Sequence, residues 1–455
     1  MKNNYLGIWG LGSDENNELV IGGRNAVRLA GDYGTPLHVV NGQRLADTAV
    51  SFVGELKSAY PGKVSVHFAF KCNPVPGIIR IIKESGLNAE IMSGYELSAA
   101  SKLGFSGNEI VVNGPFKTDE LLNDCIAEKV RFINIDSLSE LGRLNDLCNK
   151  YGHSADILLR VNPDFTPSGM NRGSSTGGRR SSPFGLDLKG GEVHRAVGLV
   201  KKMERVKFRG FHFHIGSGIQ NTDDYRRALL KLKKIVEFTA ASGLAVDVMD
   251  IGGGLGVPGS REMTTSEMLM YQAFGYLRPA IKQNENLSFG AFARSVVSGI
   301  YSIFGHNTLP ELLFEPGRCI TSPNQVLLLK IHQVKERKGL RKWLVADAGT
   351  GTLTMPLFYE YHEIVLCNDV TRRPSSRVTI TGPGCFTADN VYRNKKMPEV
   401  LPGEIIAVMD SGAYFTSWES SFSFPRPAII AVSDSGVKLI RERETFDDMV
   451  SLDRF

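Results

Sequence analysis

The sequence predicts an α/β protein: a closed (β/α)8 TIM-like barrel, joined to a C-terminal all-β domain that also takes in the N-terminal strands. Two observations carry that prediction. Between residues 64 and 315 eight short apolar runs alternate with longer amphipathic ones, and after residue 318 the long helical patterns stop. Short β-branched runs separated by helices make βαβ units and a parallel sheet. Eight of them in roughly 250 residues match a closed barrel, with a doubly wound sheet as the competing arrangement.

The elements follow in order. The runs ELVIGG and PLHVV near the start read as strands of the β-domain, and a helix over 42–60 opens the barrel. Strands are then predicted at 64–70 (VSVHFAF), 88–92 (NAEIM), 109–113 (EIVVN), 131–135 (RFINI), 155–161 (ADILLRV), 207–214 (KFRGFHFH), 245–251 (AVDVMDI) and 311–315 (ELLFE). Amphipathic stretches at 118–128, 137–149 and 222–241 supply helices between them. Later runs such as QVLLLKIHQV, KWLVADAG, RVTITGP, EIIAVMD and AIIAVSDSGVKLIRE are β-rich, with glycine and proline between them. The predicted division is a barrel over 39–318 and a β-domain formed from 1–38 and 319–455. Residues 164–183 (DFTPSGMNRGSSTGGRRSSP) follow the fifth strand and read either as a binding lid carrying Arg172, Arg179 and Arg180 or as a solvated loop.

Composition narrows the function classes. Apolar residues make up 42% and charged residues 22%, a globular balance, and the net charge of +5 is spread along the chain. No basic run is long or aromatic enough to predict nucleic-acid binding. There is no stretch of 18 apolar residues and no apolar core to the first segment, so neither a membrane span nor a signal peptide is expected. The six cysteines lack CxxC spacing, which argues against structural zinc and a disulfide framework and for a cytoplasmic setting.

Polar residues collect at the predicted strand C-termini, where barrels carry their chemistry. They are Lys71, Asn113-Gly114, His214 with Gly216 and Ser217, Asp250 before Gly252-Gly253-Gly254, and Glu315-Pro316-Gly317-Arg318. Singly, each has a bland reading as a strand cap, a core histidine or a turn. Together they describe one ligand. A lysine amine forms a Schiff base with an aldehyde, and a glycine turn and an arginine receive a phosphate. A carboxylate keeps a pyridinium protonated, and a histidine offers a flat face to a ring. The combination points to pyridoxal 5'-phosphate.

The stretches FAFKCNP, IMSGYEL, INIDSLSEL, ILLRVNP, HFHIGSGI, DIGGGLG, EPGR, GPGCFTADN and GAY run in that order over most of the chain. In this it resembles the fold type III pyridoxal-phosphate-dependent decarboxylases, the diaminopimelate and ornithine decarboxylase family. The resemblance implies that Lys71 holds the cofactor, His214 stacks on its ring, and Ser217, Gly252, Gly253, Gly254, Gly317 and Arg318 hold the phosphate. Glu315 would serve the pyridinium, and Tyr414 would reach cofactor or substrate. Cys385 would cross to a partner subunit and return a proton to Cα, which implies a homodimer with shared sites. Around the amino-acid substrate the resemblance places Tyr359, Glu360, Phe386 and Asp389.

Three departures from the family pattern bear on the substrate. Met355, in TMPLFY, stands where diaminopimelate decarboxylases have an arginine, Phe386 stands where an acid follows the catalytic cysteine, and Glu90 replaces an aspartate. Two pockets remain open to the sequence. Glu360 could supply the missing acid for a basic amino acid of either hand. Alternatively the lid arginines could serve a modified or acidic amino acid, as in siderophore and antibiotic pathways. An alanine-racemase-like racemase shares barrel, lysine and cofactor but leaves GPGC unexplained. A non-catalytic binder of the cofactor would not need the β-domain.

Overall fold

The structure, a computed structural model, describes residues 5–170, 177–275, 287–306, 308–354 and 360–454. Eight parallel strands form the barrel: Val64–Ala69, Asn88–Ile91, Ile110–Val112, Phe132–Ile135, Ala155–Asn162, Val206–His212, Val248–Asp250 and Glu311–Phe314. Each pairs with the next, and the eighth returns to the first through Leu312 and Val64. Closure excludes the doubly wound alternative. All eight predicted strands are present, but most stop short of the polar residue assigned to their ends. Lys71 lies in a 3-10 turn, Phe70–Cys72, and His214 and Glu315 lie just past their ladders. A residue still held in a ladder alternates between barrel interior and helix layer. One just past the ladder is free to turn over the mouth.

The helix layer follows from the predicted amphipathic stretches. Gly42–Ala59 buries Leu45, Ala49, Phe52 and Leu56, a spacing that keeps one face inward. The Phe52 ring lies 5.1 Å from Phe289 and 5.9 Å from Phe292, and truncating such a residue costs about 3–5 kcal/mol. Asn41, Ser93, Thr118 and Ser137 each accept a first-turn N–H, so the helix starts are set by local chemistry. Among the described residues no helix is long and apolar enough to cross a membrane.

The second sheet is centred on Gln325–Lys335. It pairs antiparallel with Lys342–Ala346, with Ile405–Val408 and with Leu37–Asn41, and Leu37–Asn41 also pairs parallel with Ala428–Ser433. The N-terminal strand is thus interior to a sheet otherwise made from the C-terminal third. That strand runs across residue 38, where the sequence placed the change of domain. ELVIGG joins the β-domain as expected, in a small sheet of its own. Leu19–Ile21 belongs to a separate three-stranded sheet with Leu11–Ser13 and Arg24–Asn25, which packs its apolar side against the larger sheet. Side-chain amides and backbone bond the two units directly. Asn73 Nδ2 donates to Gln325 Oε1 and to the Gly412 carbonyl, both at 3.0 Å, and the Tyr414 N–H donates to the Cys72 carbonyl at 2.8 Å. The turn that carries Lys71 is therefore fastened to the β-domain.

Candidate active site

A cavity of about 440 Å³ opens at the C-terminal mouth of the barrel. Lys71, His214, Ser217, Gly254, Glu315, Gly317, Arg318, Glu360 and Tyr414 line it, with Asn113, Arg160, Arg179, Phe184, His212 and Trp418. The Lys71 Nζ lies 2.6 Å from Glu90 Oε2. Asn113 Nδ2 bridges Glu90 Oε1 at 2.9 Å and Glu315 Oε1 at 2.6 Å, and Asn134 Nδ2 fixes Asn113 from behind at 2.7 Å. Burial works against charge on Lys71, but Glu90 and Glu315 outweigh it and hold the ammonium above its usual range.

Two buried carboxylates, Asp250 and Glu315, sit side by side and titrate in opposite directions. Burial and the neighbouring Glu315 push Asp250 well up. Burial would also raise Glu315, yet His212 and Lys71 prevail and keep it ionised, with a proton-bearing Asp250 as its donor. His212 Nε2 lies 3.4 Å from Glu315 Oε2. The three residues bring ligand-type atoms within 4.8 Å of one another. The two carboxylates already accept bonds from Asn113, Asn134 and the Gly252 N–H, so Asp250 and Glu315 belong to a hydrogen-bonded network, with His212 beside it. His214 is kept neutral: burial first, then Arg160 and Lys71, bring it down to about 3. Its Nδ1 accepts the Gly253 N–H at 3.2 Å, and the residue lines the cavity.

The glycine turn is compact for a steric reason. A Cβ on Gly253 would lie 2.1 Å from the Glu315 carbonyl oxygen, and one on Gly254, at φ +101°, 1.9 Å from that of Gly216. Only Gly254 of the three reaches the cavity. The N–H groups of Gly252 and Gly253 are taken by Asp250 and His214. Arg318 also differs from expectation. Its terminal nitrogens donate to Glu360 at 3.0 and 2.6 Å, and its Nε faces Ser217 Oγ at 3.4 Å. Buried opposite charges at this distance pair with each other, so Arg318 is not an open phosphate donor and Glu360 is not an open acid.

The residues present fit pyridoxal 5'-phosphate. An amine, an ionised carboxylate, a neutral imidazole and a turn that only glycine fits converge on one cavity. Residues 50–322 match the pyridoxal binding domain of the pyridoxal-dependent decarboxylases, and residues 263–412 match the C-terminal sheet domain of pyridoxal-dependent decarboxylases. The chain belongs to the pyridoxal-dependent decarboxylase family. It is similar to the diaminopimelate decarboxylase of Methanothermobacter thermautotrophicus, at 32% identity over 96% of both chains. The crystal structure of the Methanocaldococcus jannaschii diaminopimelate decarboxylase superposes with a TM-score of 0.86 at 27% identity, covering 99% of each chain. Its co-complex with L-lysine superposes with a TM-score of 0.84 at 27% identity, covering 98% of each chain. Family membership makes the protein a carboxy-lyase acting on an amino acid, with pyridoxal 5'-phosphate as its cofactor.

Other expected residues stand apart from this cavity. Cys385 is exposed on the β-domain and is not among the residues lining the cavity. Phe386 is 44% exposed and rests against Phe422, with ring centres 5.7 Å apart. Asp389, expected near substrate, is buried and accepts bonds from the Thr350 N–H at 2.6 Å, the Thr350 hydroxyl at 3.0 Å and the Gly384 N–H at 2.7 Å. Its carboxylate is committed to holding that loop. Of the expected lid, Gly177, Arg179, Ser182 and Pro183 line the cavity, anchored through Asn162 Nδ2 to the Arg179 carbonyl at 2.9 Å. Arg180 points outward to Asp187 at 2.8 Å. Met355, Tyr359 and Arg172 lie outside the described residues.

Sequence reasoning gave no role to Arg160, His212 or Asn134. Arg160 pairs with Asp136 at 3.3 Å and lies over the Phe184 ring at 4.8 Å. The signal for His212 was its spacing from His214, since alternate strand residues face one side. Asn134 was a lone amide inside the apolar run FINI, and a buried amide requires partners.

Proposed function

We propose that the protein decarboxylates an amino acid whose far end carries no free charge, with Lys71 as the residue that holds the cofactor. The observation that carries the substrate reading is the Arg318–Glu360 pair, which leaves neither an open cation nor an open anion at that wall. Phe386 in place of an acid and Met355 in place of an arginine act in the same direction. They disfavour both free diaminopimelate and a basic amino acid received by Glu360. A modified amino acid, with its side-chain carboxylate or amine masked, fits the neutral wall.

Each residue has a physical task. Glu90 Oε2, 2.6 Å from Lys71 Nζ, is placed to take the proton that the lysine must lose to become a nucleophile. Glu315 remains an anion suited to a protonated ring nitrogen, and His214 remains neutral for ring contact. Gly254, Ser217 and Gly317 offer the phosphate a close approach. Pyridoxal phosphate supplies the electron sink for the pair left behind when the α-carboxylate departs. Cys385 would return the proton at Cα from a second copy of the chain, since in its own chain it stands outside the cavity.

The test is a CO2-release screen of cofactor-loaded protein. Both enantiomers of ornithine, lysine, glutamate and glutamine, the N-acylated diamino acids, and meso-diaminopimelate make up the panel. The amide-ended and acylated substrates are expected to turn over fastest. Racemisation without CO2 release would overturn the reaction class, and a preference for free lysine or ornithine would overturn the neutral-end reading.

A further inference from the structure

Arg318 and Glu360 are both buried, and both line the cavity. Two parallel N–H to oxygen bonds join them, the geometry in which a guanidinium takes a free carboxylate. The remaining faces of the guanidinium are also engaged, Nε toward Ser217 and the flat side over the Tyr414 ring at 5.2 Å. Glu360 is fixed in turn. Its backbone pairs with Glu262 in a two-stranded sheet. Its Oε2 lies 3.2 Å from His362 Nε2, and His362 Nδ1 lies 3.0 Å from the Met409 carbonyl. A carboxylate belonging to the chain therefore fills the guanidinium fork at the cavity wall.

We propose that Glu360 is a specificity-determining residue, a tethered carboxylate that fills the Arg318 fork and excludes ligands bearing a free second carboxylate. Exclusion has two physical sources. The fork's donors are already used, and an incoming carboxylate would face the Glu360 charge at close range in a buried site. An amide-ended ligand of the same shape brings no such charge. The inference rests on the decarboxylase reading only for where the ligand enters.

L- and D-glutamate and L- and D-glutamine form matched pairs for the test, read by calorimetry and by the visible band of the cofactor-loaded protein. The wild type is expected to bind glutamine at least tenfold more tightly than glutamate. In Glu360→Ala the ratio should swing at least tenfold toward glutamate, and Glu360→Gln, which keeps the volume should the alanine variant not fold, should move the same way. Adding Arg318→Met to Glu360→Ala should remove the swing. Equal weakening of both ligands would make the pair a structural tie only and overturn the assignment, as would variants that bind neither ligand. Titrating the cofactor into the apo proteins separates the other anion source. Tighter cofactor binding in Glu360→Ala with an unchanged glutamine-to-glutamate ratio would assign the fork to phosphate instead. A lack of CO2 release from every amino acid would sink the decarboxylase reading and leave these binding ratios as they are.

Discussion

Lys71 and His214 line the same cavity and take opposite electrical characters there. The lysine has two carboxylates for company, and its charge is held. The histidine is buried and lies near Arg160 and Lys71, which together bring its pKa down to about 3. In the unfolded chain an imidazole takes its proton below roughly pH 6.5. Between about 6.5 and 3 the unfolded state therefore binds a proton that the folded state refuses, so stability falls as pH drops through that window. Replacing His214 with phenylalanine should flatten part of this acid limb, seen as a smaller difference between melting temperatures at pH 7 and about pH 4.5. Only part is expected to disappear, because buried His67, brought down to about 4, adds slope of the same sign. An unchanged limb would mean that His214 is not held neutral.

At the scale of the element, the loop over 382–389 shows what the glycines of GPGC are for. Any Cβ on Gly382 or Gly384 would lie 2.4 or 2.7 Å from Asp389 Oδ2, and one on Gly349 would lie 1.9 Å from Oδ1. The loop is wound around one buried carboxylate, which receives two N–H groups and a hydroxyl. Cys385 and Phe386 stand on its outer side, so Asp389 acts on them through the backbone. Asp389→Ala leaves those donors unmet, a loss on the order of 2–3 kcal/mol. The expected result is a lower melting temperature and a fall in kcat, with cofactor affinity almost unchanged because the barrel mouth is untouched. Loss of cofactor binding of the same size would place Asp389 in the site itself.

The whole molecule is needed to explain Cys385. One chain assembles the residues proposed to hold the cofactor and leaves the proposed proton donor outside, so a site shared across a two-fold dimer is the arrangement we propose. Lys71→Ala should lack the cofactor's visible band, and Cys385→Ala should keep it, with both inactive alone. Mixed in equal amounts with subunit exchange, they should recover about a quarter of wild-type activity, from heterodimers with one intact site of two. Zero recovery with proven exchange would place both residues in one chain's site.

Much of this was legible in the sequence because its cause is local. The spacing of apolar runs dictates strands and helices, and residues such as Lys71, Glu315 and Gly254 follow strand ends at short range. The eight-strand count, the ordered motifs and the cofactor set all follow from such short-range rules. What only the tertiary structure decided depends on residues far apart in sequence that meet in a dry site. Arg318 reads as an open cation and Glu360 as an open acid until folding brings their charged ends to 2.6 Å. Asp389 reads as a substrate residue until three glycines close around it. Buried groups take their character from whichever partner the fold supplies, and across dozens of residues that partner is set by packing rather than by local pattern.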